Sequence, residues 1–126
     1  QTLTSLMDLA KEGVFIAQAL VRRGGSCSRS LSCLAADHRR ALRQLSAAYF
    51  LITGQRYHPP TPSVVINASL PLALRDQFVW EQRWERANQQ AAETTSDACL
   101  KELYQELAQD GVLHAATIRS LLEQMG

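Results

Sequence analysis

Residues 31–54 read LSCLAADHRRALRQLSAAYFLITG. Leu31, Leu34, Leu42, Leu45 and Tyr49 recur at helical spacing and gather within roughly 40° of His38 when each residue turns the chain by ~100°. No breaker interrupts the run before Gly54. One long helix is therefore expected, opening behind a Ser30 cap and stopping at Gly54, where a left-handed conformation is cheap. His38 falls at the centre of its apolar face. A buried polar group with no partner costs about 1–3 kcal/mol, so something inside must answer the imidazole.

The same reasoning extends in both directions. Upstream, a helix is expected from about Thr4 to Arg23, with Leu6, Leu9, Ile16 and Leu20 on one side, ended by Gly24-Gly25-Ser26-Cys27-Ser28. Downstream, Pro71 behind Ser69 suits the first turn of a third helix reaching about Glu93. Its stripe is Leu74, Phe78, Glu81, Glu85, Asn88 and Ala92. A fourth helix is expected behind Ser96, with Asp97 in its first turn, running to about Met125. Leu100, Leu103, Leu107, Ile118 and Leu121 surround His114 there, so the motif of a histidine on an apolar face occurs twice. Period-two alternation is nearly absent; Val64-Val65-Ile66 is the one short candidate for extended chain.

Connector lengths then set the topology. The links between helices one and two, and between three and four, are short enough to make antiparallel hairpins. Residues 55–70, with Pro59, Pro60 and Pro62, exceed the usual two to eight residues of a helix–helix link. Such a segment can travel the length of a ~33 Å helix and return the chain to the same end. Its prolines stiffen it, and Val64, Val65 and Ile66 are expected to pack it onto the helices. The reading is an all-α four-helix bundle with a long crossover between helices 2 and 3, one domain spanning residues 1–126.

Polar residues recur on the faces meant for the core. Glu81 is central on its stripe, with Glu85 and Asn88 one and two turns on, and Glu12 lies at the edge of the first helix beside Leu9 and Ile16. If helices two and three run down while one and four run up, Glu12, His38, Glu81 and His114 fall within about 6 Å of one level. Two carboxylates and two imidazoles at one level suit a borderline metal such as Zn²⁺ or Fe²⁺. They also suit metal-free acid–imidazole pairs that satisfy each other.

Composition narrows the classes. The chain has 126 residues, 46% hydrophobic and 20% charged, with a net charge of +1. That length supports a core without staples, and that balance gives no pull toward nucleic acid or a membrane surface. Arg22-Arg23 and Arg39-Arg40-Arg43 are basic but lack aromatic interleaving, so they read as a solvated face. No apolar run approaches the roughly 20 residues of a membrane span, and no leader-like segment opens the chain, so a cytoplasmic setting is expected. Cys27, Cys33 and Cys99 lack CxxC spacing, which excludes a rubredoxin-type iron site or a zinc knuckle. Cys99 reads as a small core residue and Cys27 as part of a Gly/Ser loop. Asn67-Ala68-Ser69 has the form of a glycosylation triplet, without meaning in that compartment.

Three stretches carry a family likeness. Leu45–Gly54, LSAAYFLITG, resembles the "LRALYFLLTG" end of the second helix in rubrerythrin-type di-iron proteins of the ferritin-like superfamily. Leu103–Asp110, LYQELAQD, followed by His114-Ala115, is similar to that family's "LFEELAEDExxHA" on helix four. Glu81 to Ala92 has the rhythm of its third helix. The likeness covers nearly the whole chain, and it implies the four-helix fold with its long crossover.

It also implies a metal site. The family takes one Glu from helix one, Glu-x-x-His from helix two, Glu from helix three and Glu-x-x-His from helix four. Glu12, Glu81 and His114 match ligand positions. The helix-two pair becomes His38 and Ala41, the helix-four carboxylate becomes Gly111, and Trp84 stands where a second carboxylate of helix three often lies. Two close cations need bridging carboxylates, so these departures argue against an intact di-iron centre and a working peroxidase. The sequence favours a non-catalytic structural or interaction module without metal; the alternative is one Zn or Fe ion held by Glu12, His38, Glu81 and His114. A homodimer is expected, through the third helix or the crossover, and the sequence identifies no other protein partner. Trp84 either fills the volume vacated by the lost ligands or joins Trp80 in an outward patch.

Overall fold

The computed structural model describes residues 2–126. They form α1 (Thr2–Arg23), a single 3-10 turn (Gly25–Cys27), α2 (Ser28–Thr53), α3 (Leu70–Thr94) and α4 (Ala98–Met125), with no strand among them. None of these helices is long and apolar enough to cross a membrane. The chain divides after Ile66 into two compact units, one built on α1 and α2 and the other on α3 and α4.

One spacing rule organises every helix. Buried positions recur at alternating steps of three and four: Leu3, Leu6, Ala10, Gly13, Ala17 and Leu20 on α1, and Leu31, Leu34, His38, Ala41 and Leu45 on α2. On α3 the row is Leu74, Gln77, Glu81, Trp84, Asn88 and Ala91. On α4 it is Tyr104, Leu107, Gly111, His114, Ile118 and Leu121. A 3.5-residue repeat keeps one seam facing a neighbouring helix along its whole length, the pattern of knobs-into-holes packing. His38, Glu81 and His114 are seam residues; Glu12 is not.

In the first unit, α1 and α2 pack as a hairpin through a tight corner. A β-carbon on the buried Gly24 would fall 2.8 Å from Leu31 Cδ1 and 3.1 Å from the Leu20 carbonyl oxygen, so any larger residue would push the Leu31 side chain aside. The 3-10 turn runs straight into α2. The Ser28 N–H donates to the Gly25 oxygen, leaving no separate side-chain cap. The expected Ser30 cap is therefore wrong: α2 already starts at Ser28. Cys27 lies in this corner as expected and is buried there, whereas Cys99 is exposed instead of being a small core residue; Cys27, Cys33 and Cys99 are all free thiols. Cys99 precedes Tyr104, the first seam residue of α4, by five residues, which turns it well away from the buried face. Gly54 ends α2 at φ 71°, its N–H donating to the Phe50 carbonyl.

After Gly54 the chain turns back along α1. The Tyr57 hydroxyl donates to Asp8 Oδ1 at 2.8 Å, and Lys11 Nζ donates to the Pro59 carbonyl at 2.8 Å. The hydrogen bond to Asp8, followed by desolvation and the Asp8 charge, raises the Tyr57 pKa above the usual tyrosine range. Tyr57, Pro59, Pro62, Val64 and Ile66 are half-buried, whereas the residues between them are exposed. The segment is thus extended without being a strand. Val65 is 95% exposed, so only Val64 and Ile66 of the expected apolar triplet pack inward.

In the second unit, Ser69 caps α3 by accepting from the Leu72 N–H, with Pro71 in the first turn. The α4 cap is Asp97, whose carboxylate accepts from the Leu100 N–H at 2.9 Å, rather than the expected Ser96. A carboxylate there meets both the unpaired N–H groups and the positive end of the helix. Gly111 brings α3 and α4 together: a β-carbon at 111 would lie 3.1 Å from the Glu81 carbonyl oxygen and 3.1 Å from Glu85 Cβ.

Candidate metal centre

Glu81 and His114 meet inside the second unit. Glu81 Oε1 lies 3.1 Å from His114 Nδ1, and both residues are buried. The other carboxylate oxygen, Oε2, accepts from Gln77 Nε2 at 2.9 Å. Gln77 is itself buried, one turn before Glu81 on the same seam. Both oxygens of a fully buried carboxylate are thus engaged, which is how such a group is tolerated away from water.

The geometry has two chemical uses. If His114 Nδ1 carries the proton it donates to Glu81, and Nε2 becomes the metal-binding nitrogen with the carboxylate setting the tautomer. Alternatively, Oε1 and Nδ1 both turn to one cation. Two ligands at about 2.0–2.1 Å from a tetrahedral zinc lie about 3.3 Å apart, close to the separation found.

His38 sits on the α2 seam and is buried as fully as the leucines around it. Its expected neighbours Leu42 and Tyr49 are only half-buried, and Ala35 and Ala41 take their place beside it. Leu100 and Leu103 likewise lie at the margin of the α4 face, whose buried set around His114 is Tyr104, Leu107, Ala108, Gly111, Ala115, Ile118 and Leu121. His38, Glu81 and His114 each offer one buried ligand atom of a kind divalent metals accept. Glu12 is half-buried, in line with the half-buried Leu9 and Ile16, and stands beside the α1 seam rather than on it. Glu85 is half-buried too, its carboxylate accepting from Gln89 Nε2 at 3.0 Å.

Sequence reasoning missed Gln77 and misplaced the α3 stripe. Phe78 and Glu85 are half-buried; Gln77, Trp80 and Trp84 are buried instead. The heptad step from Leu74 through Glu81 to Asn88, with Gln77 and Trp84 between, was the available signal. Trp84 is 1% exposed and its ring stacks on Trp80 at 6.0 Å with 9° between planes, so the outward tryptophan patch is overturned. A β-carbon at Gly111 would meet Trp84 Cδ1 at 3.2 Å. Tyr104, on the same α4 seam, has its pKa raised mainly by burial and secondarily by the Asp97 charge.

Two buried amide oxygens on this seam, Gln77 Oε1 and Asn88 Oδ1, accept no hydrogen bond. Asn88 spends its amide nitrogen on the Trp84 carbonyl at 3.0 Å. Comparison of the chain with protein-family models, curated proteins and solved structures finds no match.

Proposed function

We propose that this chain is a rubrerythrin-type member of the ferritin-like superfamily whose di-iron centre has shrunk to a site for one Zn²⁺ or Fe²⁺ ion. In this reading the two helical hairpins assemble as a bundle, with the segment after Gly54 as the crossover. His38 joins Glu81 and His114 as ligands, while Glu12 stays outside the coordination sphere. The observation that carries the reading is the buried Glu81–His114 pair, held from behind by Gln77. Burial of His38 on its own seam adds the third donor.

Bridging carboxylates are missing at His38 and Gly111, and Ala41 supplies no ligand. One ion fits this donor set better than two, and the role is structural rather than oxidative. Such an ion would tie helices together by coordination, where binding free energy counts directly as folding free energy.

The test is elemental analysis of protein purified without chelator, followed by zinc titration of the metal-free protein. One equivalent of metal is expected, with binding weakened at least tenfold in H38A and H114A. Absence of bound metal, together with no saturable uptake of Zn²⁺ or Fe²⁺, would falsify the site. A second reading, a metal-free structural module, is favoured by Trp84 lying where a side chain at position 111 would project. It predicts unchanged thermal stability on addition or removal of metal.

A further inference from the structure

The first unit carries eight lysines and arginines against three acids, although the whole chain is nearly neutral at +1. Two of those cations line a single groove between α1 and α2. Gln18, Val21 and Arg22 form one wall and Ser32, Ala35 and Arg39 the other, around a volume of about 410 Å³. The spacing explains the arrangement. Residues 18, 21 and 22 share one face of α1, and 32, 35 and 39 share one face of α2.

No carboxylate lines the groove, and among the described residues neither Arg22 nor Arg39 has an ion-pair partner. Asp37, the acid closest to Arg39 in sequence, is engaged by Arg40 at 3.0 Å. The Ser32 hydroxyl and the Gln18 amide add uncharged donors to the lining. We propose that this groove binds a small phosphate-bearing anion, with the guanidinium groups of Arg22 and Arg39 contributed from opposite walls.

Guanidinium forks match phosphate oxygens two at a time, and forks from opposite walls suit an anion with two charged groups, such as a diphosphate. The positive field of the surrounding unit raises the local concentration of such a ligand. The site is independent of the metal centre, because none of its lining residues is a candidate metal ligand.

The test is titration of the full chain with inorganic phosphate and with pyrophosphate at low salt, followed by calorimetry and backbone-amide NMR. Saturable binding is expected, tighter for pyrophosphate, with shifts concentrated at residues 18–22 and 32–39. Arg22→Gln and Arg39→Gln should each weaken it at least fivefold and together abolish it, whereas Arg43→Gln should change it less than twofold. Both groove arginines are exposed, so the variants keep the fold, which circular dichroism checks. Absence of saturable binding, or an equal loss in Arg43→Gln, overturns the proposal. Tighter, arginine-dependent binding of an oligonucleotide or of phosphatidylglycerol vesicles overturns it in favour of a macromolecular surface.

Discussion

Trp84 of α3 and Gly111 of α4 occupy one space between them: a β-carbon at 111 would fall 3.2 Å from Trp84 Cδ1. Here the indole stands against the glycine, and the two helices close up around it. Indole bulk set against a glycine keeps the interior filled, where an open cavity would cost about 24 cal/mol per Å³.

Gly111→Ala should therefore destabilise the protein. Alanine gains about 1 kcal/mol of helix propensity over glycine. Against that gain stands the Glu81 backbone oxygen at 3.1 Å, which cannot swing aside as a side-chain tip could. Overpacking of this kind costs about 1–3 kcal/mol. Urea denaturation should show a net loss of up to about 2 kcal/mol; a rise in stability would mean α3 and α4 can separate freely.

Trp84→Ala removes the largest fully buried side chain among the described residues. The expected loss is about 3–5 kcal/mol, enough to unfold a marginal domain. Trp84→Phe gives a measurable intermediate if the alanine variant does not fold. A loss near zero in the isolated monomer would contradict the role of the indole as filler.

Gln77→Leu should separate metal binding from folding. The substitution removes a donor to Glu81 Oε2 and, with it, the unsatisfied Gln77 Oε1. Those effects oppose each other, so metal-free stability should move by less than about 1 kcal/mol. Zinc affinity should fall roughly 10–100-fold, the usual consequence of losing the group that orients a ligand. Equal affinity in the variant would remove Gln77 from the site.

Metal uptake should release protons. His114, 3.1 Å from Glu81, coordinates a metal only as the neutral imidazole, so an ion displaces one proton wherever the histidine is charged. Affinity for Zn²⁺ is expected to rise with pH, and calorimetry in buffers of different ionisation enthalpy should count the protons. A pH-independent affinity would point to coordination elsewhere.

The extended segment after α2 should respond to alkali. Tyr57 has its pKa raised by the hydrogen bond to Asp8, so that contact is complete below the ordinary tyrosine value of about 10 and is lost as pH rises through the higher folded value. Titration of the Tyr57 ring by carbon-13 NMR should place its midpoint above that of a free tyrosine, and Asp8→Asn should lower it. An unchanged midpoint in Asp8→Asn would show that the hydrogen bond is not formed in solution.

Helix identity and the inward direction of His38, Glu81 and His114 were readable from residue order alone, because a 3.6-residue period leaves its mark on every long amphipathic segment. The stop at Gly54 and the start at Ser69 were equally plain, since both depend on local backbone chemistry. Finer choices were not local. Leu9, Glu12 and Ile16 look like part of a core stripe, yet α1 turns Ala10, Gly13 and Ala17 inward instead. Small residues carry little hydrophobic signal, and only a neighbouring helix reveals that they form the seam. Gln77 and Trp84 displaced Phe78 and Glu85 from the buried face of α3 for the same reason. What required three dimensions was contact: which acid meets which imidazole, which indole fits against which glycine, and which pair of arginines shares a groove. Periodicity orients a side chain about its own helix axis, whereas the distance to a group on another helix depends on how closely the backbones approach, and that is set by the packed volumes between them.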